Sequence, residues 1–158
     1  MSETTTISKL AVRDVPEQSF VVLRDRVPME RLGEVIPRLI GETHAWLAEH
    51  AGFSGAPMAA VSFPDEDGVV DLEVGWPVAA PLEPAAPIEL VTYDATRAVV
   101  HVHVGPFDDL PETYAALARA IEAAGLRAKG PARESYETNP EQEPDPRKWV
   151  TRIVWPVE

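Results

Sequence analysis

The side chains best suited to chemistry are a carboxylate and a phenol two positions apart, Glu134 and Tyr136. Alternate residues of a strand share a face, so both lie with Ala132 on a partly apolar face, opposite a fully polar one. We therefore predict that Glu134 points inward. A buried carboxylate is costly unless it is paired or meets a cation. The alternatives are a hydrogen-bonded structural glutamate and an ion pair with Arg152 on a neighbouring strand.

Aromatic side chains form the second group of candidates. Trp76 and Trp155 stand at corresponding ends of two strand-like runs, while other aromatic residues are scattered over the chain. For any single aromatic residue, core packing is the simpler interpretation. A matched pair of tryptophans could stack on a flat ligand, and cation–π contacts would contribute about 0.5–2 kcal/mol. We predict a ligand site that includes this pair, with Tyr93 and Phe20 as further aromatic walls.

Two other positions carry polar groups of interest. Glu73 and Arg152 are 79 positions apart and share the strand face opposite an apolar set, so they could pair across a seam or line a pocket. The simpler alternative is a partly exposed pair of little energetic value. His101 and His103 alternate on one strand face, as some metal sites require, but no third ligand has a telling spacing. We predict no metal, and we retain Glu73 and His101 as ligand-binding candidates on a polar, partly exposed face.

Catalytic motifs are absent from the sequence. It contains no Gly-x-Ser-x-Gly, no glycine-rich phosphate loop and no His-Glu-x-x-His. The acid–base pair that remains is Glu134 with Tyr136, which serves binding equally well. We predict binding rather than catalysis, no cofactor, and catalytic residues that stay unknown.

Internal similarity predicts the architecture. Residues 76–78 (WPV) recur as residues 155–157, 79 positions later. Two further matches lie between them: the apolar run 19–23 corresponds to 98–102 at the same spacing, and residues 51–57 (AGFSGAP) to 124–131 (AGLRAKGP) at a spacing of 73. Three matches in the same order, with compensating spacings, indicate that one unit occurs twice.

Each copy is predicted to run strand, helix, strand, strand. Pro37 suits a first helical turn, so we expect the first helix to be regular from about Ile36, and Gly52 is placed to end it. In the second helix, Asp109 is the predicted N-cap of a capping box and Gly125 the stop. The predicted strands span 19–26, 59–63, 69–78, 98–104, 132–138 and 149–157.

Two βαββ units of this size can bury their apolar faces only by sharing one structure. We therefore predict an α+β fold of duplicated βαββ units with pseudo-twofold symmetry, antiparallel strands, two long helices and a ligand cleft at the seam. Residues 1–10 are expected to form a flexible tail, and residues 11–158 a single domain. Its parts are repeat one (about 12–78), a linker (79–90, with a stiff segment at 81–87) and repeat two (about 91–157), which includes an exposed polar loop at 140–148.

The closing strands resemble a known family. Residues 130–140 (GPARESYETNP) and 150–157 (VTRIVWPV) resemble the C-terminal signature of the GyrI-like small-molecule-binding domain, and residues 71–78 (DLEVGWPV) resemble the corresponding strand of its first half. The resemblance covers essentially residues 11–157. The family includes effector-binding domains of AraC- and MerR-type multidrug-responsive regulators, and its fold is a duplicated βαββ (SHS2) unit. The resemblance implies that Glu134, followed by Tyr136, lies in an apolar pocket that meets cationic aromatic drugs.

The regulators also carry a helix-turn-helix or similar DNA-binding domain, for which this sequence has no room. The resemblance therefore implies a stand-alone member without direct nucleic-acid binding. Such members are associated with drug sequestration, with protection of DNA gyrase and, in one branch, with hydrolysis of reactive cyclopropane-containing natural products.

Composition limits the other classes of function. The chain has 158 residues, 14 basic and 26 acidic side chains, a net charge of −12 and no cysteine. An acidic surface does not suit nucleic-acid binding, which depends on basic groups at phosphates. The absence of thiols excludes disulfides, and no run has the roughly 20 apolar residues that a membrane helix needs. We expect a cytoplasmic protein that binds no membrane.

The leading hypothesis is binding of a small, largely apolar, cationic aromatic molecule for sequestration, resistance or sensing. One alternative is a hydrolase on the same scaffold with Glu134 as general base. The other is an acidic protein-interaction module, such as a gyrase inhibitor, whose partner the sequence leaves open.

Overall fold

The fold is a single antiparallel sheet with two helices. The computed structural model describes residues 10–50, 55–79, 83–139 and 142–158. The helices are α1 (Leu32–His50) and α2 (Leu110–Ala123). The strands are β1 (Val12–Val15), β2 (Gln18–Pro28), β3 (Met58–Val61), β4 (Val69–Val78), β5 (Glu89–Tyr93), β6 (Thr96–Val104), β7 (Arg133–Tyr136) and β8 (Val150–Pro156). The predicted α+β class is confirmed.

The strand order shows the duplication. It runs β1-β6-β8-β7-β3-β4-β2-β5, and every neighbouring pair is antiparallel. β7 and β3 meet at the centre, where Glu134 lies opposite Ala59. Outward from this point, β7, β8 and β6 are the second, third and first strands of the second βαββ copy. On the other side, β3, β4 and β2 are the second, third and first strands of the first copy. A fourth strand from the other copy then follows, β1 on one side and β5 on the other. The order is therefore the same on both sides, as pseudo-twofold symmetry requires.

The two tryptophans of the repeated motif occupy matching strands. Trp76 in β4 lies opposite Val21, and Trp155 in β8 lies opposite Val99. Both rings are buried, and each indole N–H donates to a backbone carbonyl, of Ile40 at 3.1 Å and of Gly130 at 3.0 Å respectively. Their spacing therefore reflects equivalent positions in the strand that closes each copy.

Both helices lie on one face of the sheet. α1 buries Val35, Leu39, Thr43 and Leu47 against a core that includes Val74 and Trp76. α2 contributes Leu110, Leu117 and Ile121 to a second core with Val99, Ile153 and Trp155. Each helix thus buries one apolar stripe against its own half of the sheet.

The start of α1 differs from the prediction. A 3₁₀ turn at Met29–Arg31 leads directly into the helix, which begins at Leu32 and contains Pro37 in its interior. The proline ring is exposed and removes one backbone hydrogen bond, a cost that the buried stripe offsets. Tertiary packing here outweighs the local preference of proline for a first turn.

The prediction for the start of α2 is wrong, whereas the prediction for its end is confirmed. The predicted capping box at Asp109 is wrong, because a 3₁₀ turn at Phe107–Asp109 already gives this residue a helical backbone and its side chain makes no cap hydrogen bond. The predicted stop at Gly125 is confirmed. Its φ is +75°, and the amides of Gly125 and Leu126 donate to the carbonyls of Glu122 and Ile121. This pattern is a Schellman motif.

The face away from the helices carries a smaller core. Phe20, Val22, Met58 and Ala60 are buried there, with Val91 and Tyr93 packed against them. The Arg133 guanidinium of β7 lies 4.4 Å from the ring centre of Tyr93 in β5. These strands are four strand spacings apart, about 19 Å across a flat sheet. The sheet must therefore curl towards this face.

Several expectations lie wholly or partly outside the described residues. They are the flexible tail up to residue 9, the helix stop at Gly52, positions 80–82 of the linker and positions 140–141 of the polar loop. The rest of that loop is mostly exposed, and the indole N–H of Trp149 donates to the Glu143 carbonyl beside it at 2.8 Å. No helix in the described ranges is long and apolar enough to cross a membrane.

Candidate ligand-binding site

Glu134 stands where the two helix-covered cores meet. β7 is the strand of the second copy that lies at the centre of the sheet, and it places Glu134 between Ile153 of β8 and Ala59 of β3. The alternation of β7 places Glu134 and Tyr136 on one face, as predicted, and this face is the helix side of the sheet. Tyr136 packs against the α1 core, whereas Tyr114 comes from α2. The carboxylate thus lies at the seam between the two βαββ copies.

Two phenols hold the Glu134 carboxylate. The Tyr114 hydroxyl donates to Oε2 at 2.6 Å, and the Tyr136 hydroxyl donates to Oε1 at 2.8 Å. Each oxygen keeps a free lone pair for a further donor. The alternative ion pair with Arg152 is wrong, because Arg152 lies on the opposite sheet face and pairs with Glu137 at 3.3 Å. Among the described residues, no arginine or lysine forms an ion pair with Glu134.

Both phenols stay protonated around neutral pH. Burial raises the pKa of Tyr136 well above its usual value, and the negative charge of Glu134 raises it further. Burial and the same carboxylate also raise the pKa of Tyr114. A protonated phenol is a hydrogen-bond donor, so the two tyrosines fix the orientation of the carboxylate without neutralising its charge.

Aromatic rings pack around the triad of Glu134, Tyr114 and Tyr136. Tyr114 meets Trp155 edge to face, with ring centres 5.6 Å apart. Tyr136 meets Phe107 in the same way at 5.6 Å, and Phe107 in turn contacts Trp149 at 4.9 Å. Phe107, Trp149 and Tyr114 were not predicted as site residues. The Tyr114 phenol is the polar tip of an otherwise apolar stripe on α2, and this is the signal that could have indicated a second role.

The predicted site residues fall into separate groups. Glu134, Tyr136 and Trp155 come together on the helix side, and Trp76 is buried on that side in the core of the other copy. Glu73, Tyr93 and Phe20 lie together on the opposite face of the sheet. There the Tyr93 hydroxyl donates to Glu73 at 2.6 Å and the Phe20 and Tyr93 ring centres are 5.6 Å apart. One site therefore cannot include both sets, because the sheet separates them.

The proposed pairing of Glu73 with Arg152 does not occur. Glu73 pairs with Arg24 at 2.9 Å, and Arg152 pairs with Glu137 instead. Arg24 lies directly opposite Glu73 in the adjacent strand, and Glu137 is two positions beyond Ser135, the residue opposite Arg152. Strand register therefore decides these ion pairs, rather than the spacing of 79 positions. The ligand-binding roles of Glu73, Tyr93 and Phe20 stay predictions.

The histidines do not lie on an exposed polar face. β6 turns His101 and His103 towards α2, whereas Val102 and Val104 are 47% and 62% exposed on the other side. His103 is buried, with Nδ1 2.9 Å from the Thr113 hydroxyl and Nε2 3.1 Å from the Pro106 carbonyl. Burial lowers the pKa of His101, and the neighbouring His103 lowers it further. In the part of the chain that the structure describes, no group of three ligating side chains could hold a metal.

One buried hydroxyl near the triad has no hydrogen-bond partner. Thr151 lies between Tyr136 and His103 in the strand register, is 0% exposed, and its Oγ1 meets no donor or acceptor among the described residues. An unpaired buried polar group costs about 1–3 kcal/mol. Thr151 therefore weakens the fold at a point next to the candidate site.

Replacing this hydroxyl by a methyl group should stabilise the protein. We expect Thr151→Val to raise the free energy of unfolding by about 1 kcal/mol, since the shape is kept and the unpaired group is lost. Chemical denaturation measures the change. Thr43→Val is the matched control, because that buried hydroxyl donates to the Leu39 carbonyl at 2.8 Å and its removal should destabilise. Destabilisation by Thr151→Val would show that the hydroxyl has a partner, such as an internal water.

Comparisons with known proteins give the family. The model of the GyrI-like small-molecule-binding domain matches residues 9–158. The chain therefore belongs to the GyrI-like family, and it is a small-molecule-binding domain. None of the curated protein sequences matches it significantly.

Solved structures share the fold at low sequence identity. The C-terminal domain of EcmrR has a TM-score of 0.76 and 23% identity, and the alignment covers 95% of this chain and 97% of that domain. In the EcmrR–DNA complex, with a TM-score of 0.77 and 23% identity, the alignment covers 95% of this chain and only 57% of the longer EcmrR chain. SAV2435 bound to tetraphenylphosphonium has a TM-score of 0.67 and 13% identity, with coverage of 95% and 94%. A hydrolase from Listeria innocua has a TM-score of 0.67 and 17% identity, with coverage of 95% and 92%.

Proposed function

We propose that the chain binds a small, largely apolar, cationic aromatic molecule at the helix-side seam, with Glu134 as the anionic group. The observation that carries the proposal is the Glu134 carboxylate, which accepts hydrogen bonds from two phenols and forms no ion pair with a described basic side chain. A partly desolvated charge without a counter-charge attracts a cation more strongly than an exposed one does.

The surroundings of the carboxylate support an aromatic ligand. Tyr114 and Tyr136 contact Glu134 directly, and their rings pack edge to face against Trp155 and Phe107 respectively. Aromatic rings attract cations through their quadrupoles and pack against flat apolar groups. That SAV2435 shares this fold and binds tetraphenylphosphonium further supports the ligand class.

The biological role that we propose is sequestration or sensing of such a molecule in the cytoplasm. A domain that only binds its ligand would lower the free concentration of a toxic compound, or report that concentration to a partner protein. Direct binding of nucleic acid is not part of the proposal, because the chain carries a net charge of −12.

Ligand titration tests the proposal. Tetraphenylphosphonium should quench the tryptophan fluorescence of the protein, since Trp155 and Trp149 belong to the aromatic network around Glu134. Triphenylphosphine oxide is a neutral control with a similar aromatic body, and it should bind at least about tenfold more weakly. Equal affinities for the two compounds, or no binding of either, would contradict a cation site.

A hydrolase is the second candidate function. The observation in its favour is that a carboxylate and two phenols form a set able to accept and donate protons. A hydrolase from Listeria innocua also shares the fold. Mass spectrometry after incubation with candidate natural products separates the functions, because a hydrolase adds the mass of water to its substrate whereas a binding domain leaves the ligand unchanged.

A further inference from the structure

We propose that two molecules of this chain associate as a symmetric dimer through a valine-rich part of the sheet face opposite the helices. This surface belongs to the second βαββ copy, and the sheet separates it from the proposed cation site. Val102 and Val104 of β6 lie on it, and they are 47% and 62% exposed.

Valines from two neighbouring strands form one continuous surface. In β6, alternation places Val100, Val102 and Val104 on the same face. Across the register, Val104 lies opposite Val150 of β8, and Val100 lies opposite Val154. Val100, Val150 and Val154 are half-buried. We call these five residues the valine face.

The first βαββ copy provides an internal reference for the valine face. The strand registers give the correspondence, because Val21 lies opposite Trp76 as Val99 lies opposite Trp155. Counting from these pairs along each strand, the positions of Val102, Val104, Val150 and Arg152 correspond to those of Arg24, Arg26, Asp71 and Glu73.

The corresponding positions of the first copy are all charged. Arg24 pairs with Glu73 at 2.9 Å, and Arg26 pairs with Asp71 at 3.7 Å. A sheet face that meets water is normally polar, so the fold itself does not require valines at these positions. A contiguous apolar patch on an otherwise polar surface is typical of an interaction site.

The charges beside the valine face favour a second molecule of the same chain as the partner. Arg152 lies opposite Val102 and pairs with Glu137 at 3.3 Å. The Glu137 amide donates to the Val150 carbonyl, so Glu137 lies next to the valine face on the side of β7. The surface thus carries one positive and one negative side chain, whereas the whole chain has a net charge of −12.

A balanced surface of this kind is complementary to itself. In a twofold-symmetric dimer the same surface meets its own copy, so it must supply both members of every contact. Arg152 of each molecule can then approach Glu137 of the other, while the valines bury one another. Two acidic molecules repel each other in general, so they associate most easily where the surface is apolar and its charges balance.

Sedimentation velocity tests the proposal. The average mass of the unmodified chain should rise from that of a monomer towards that of a dimer between micromolar and millimolar concentrations. Val102→Arg and Val104→Arg should each weaken this association at least about tenfold, because each buries an unpaired charge in the interface. Ala48→Arg is the control: it adds the same charge at an exposed position of α1 and should leave the association unchanged.

Charge reversal tests whether the partner is a second molecule. Arg152→Glu and Glu137→Arg should each reduce self-association, since like charges then meet across the twofold axis. An equimolar mixture of the two variants should associate again, because each supplies the charge that the other lacks. If the mixture associates no better than either variant alone, the partner is not a second copy of this surface.

Other results would overturn the proposal. A chain that stays monomeric at every concentration, or that associates equally well after Val102→Arg and Val104→Arg, has no interface at the valine face. A clear fall in the thermal midpoint of these variants as monomers would show that the valines pack against their own chain. Glu134→Gln should leave self-association unchanged, so this test and that of the cation site are independent.

Discussion

Glutamine at position 134 should weaken tetraphenylphosphonium binding by about 10- to 150-fold. Glu134→Gln keeps the size of the side chain and removes its charge, and a charge-assisted contact contributes roughly 1.5–3 kcal/mol. Triphenylphosphine oxide carries no positive charge, so its affinity should change much less. Fluorescence titration of both compounds against both proteins measures the difference.

The stability of this variant separates a binding role from a structural one. A carboxylate without a counter-charge costs the empty protein stability, so Glu134→Gln should leave its thermal midpoint unchanged or raised. The glutamine can still accept a hydrogen bond from one phenol through its carbonyl oxygen, and its amide nitrogen can donate to the hydroxyl oxygen of the other phenol. Glu137→Gln is the matched control: it alters an exposed carboxylate on the opposite face and should affect neither ligand. A fall in stability with equal losses for both ligands would identify Glu134 as structural.

Alanine at position 75 should destabilise the protein by about 3 kcal/mol or more. Gly75 lies in β4 opposite Val22 and Met58, and a Cβ there would overlap the backbone carbonyl of Val21 in β2. Backbone atoms cannot rotate away as a side chain can, so Gly75→Ala must push β2 and β4 apart in the middle of the sheet. Chemical denaturation, or loss of soluble protein on expression, measures the effect.

A helical glycine provides the control for that substitution. Gly41 lies in α1, and a Cβ there would meet nothing within 4 Å. Gly41→Ala should therefore stabilise the protein by about 0.5–1 kcal/mol, because alanine favours a helix more than glycine does. If both substitutions have the same small effect, the strands have room at Gly75 and the close approach is not a constraint.

Repetition and alternation made much of the fold predictable. The recurrence of the WPV motif placed Trp76 and Trp155 in corresponding strands, and the two-residue period of β7 placed Glu134 and Tyr136 on the same face. The end of α2 at Gly125 was equally predictable, because that position needs a positive φ, which glycine adopts most easily. These signals are local, or repeat along the chain, so one sequence is enough to read them.

The arrangement of the faces was not predictable in the same way. Alternation in β6 made the valine face look like the core, yet α2 covers the face with His103, whose ring hydrogen-bonds with the Thr113 hydroxyl and the Pro106 carbonyl. The curl of the sheet, which brings Arg133 to Tyr93 across three intervening strands, depends on the whole assembly. Tyr114 joins the Glu134 site from a helix 20 positions away, a distance over which spacing carries no signal.

The exchange of β1 and β5 bears on how the chain folds. β1 pairs with β6 of the second copy, and β5 pairs with β2 of the first. Neither copy can complete its edge before most of the chain has been synthesised, so the slow steps involve contacts between distant residues, which lower the folding rate. Such interlocked halves should also unfold together in one cooperative transition rather than one after the other.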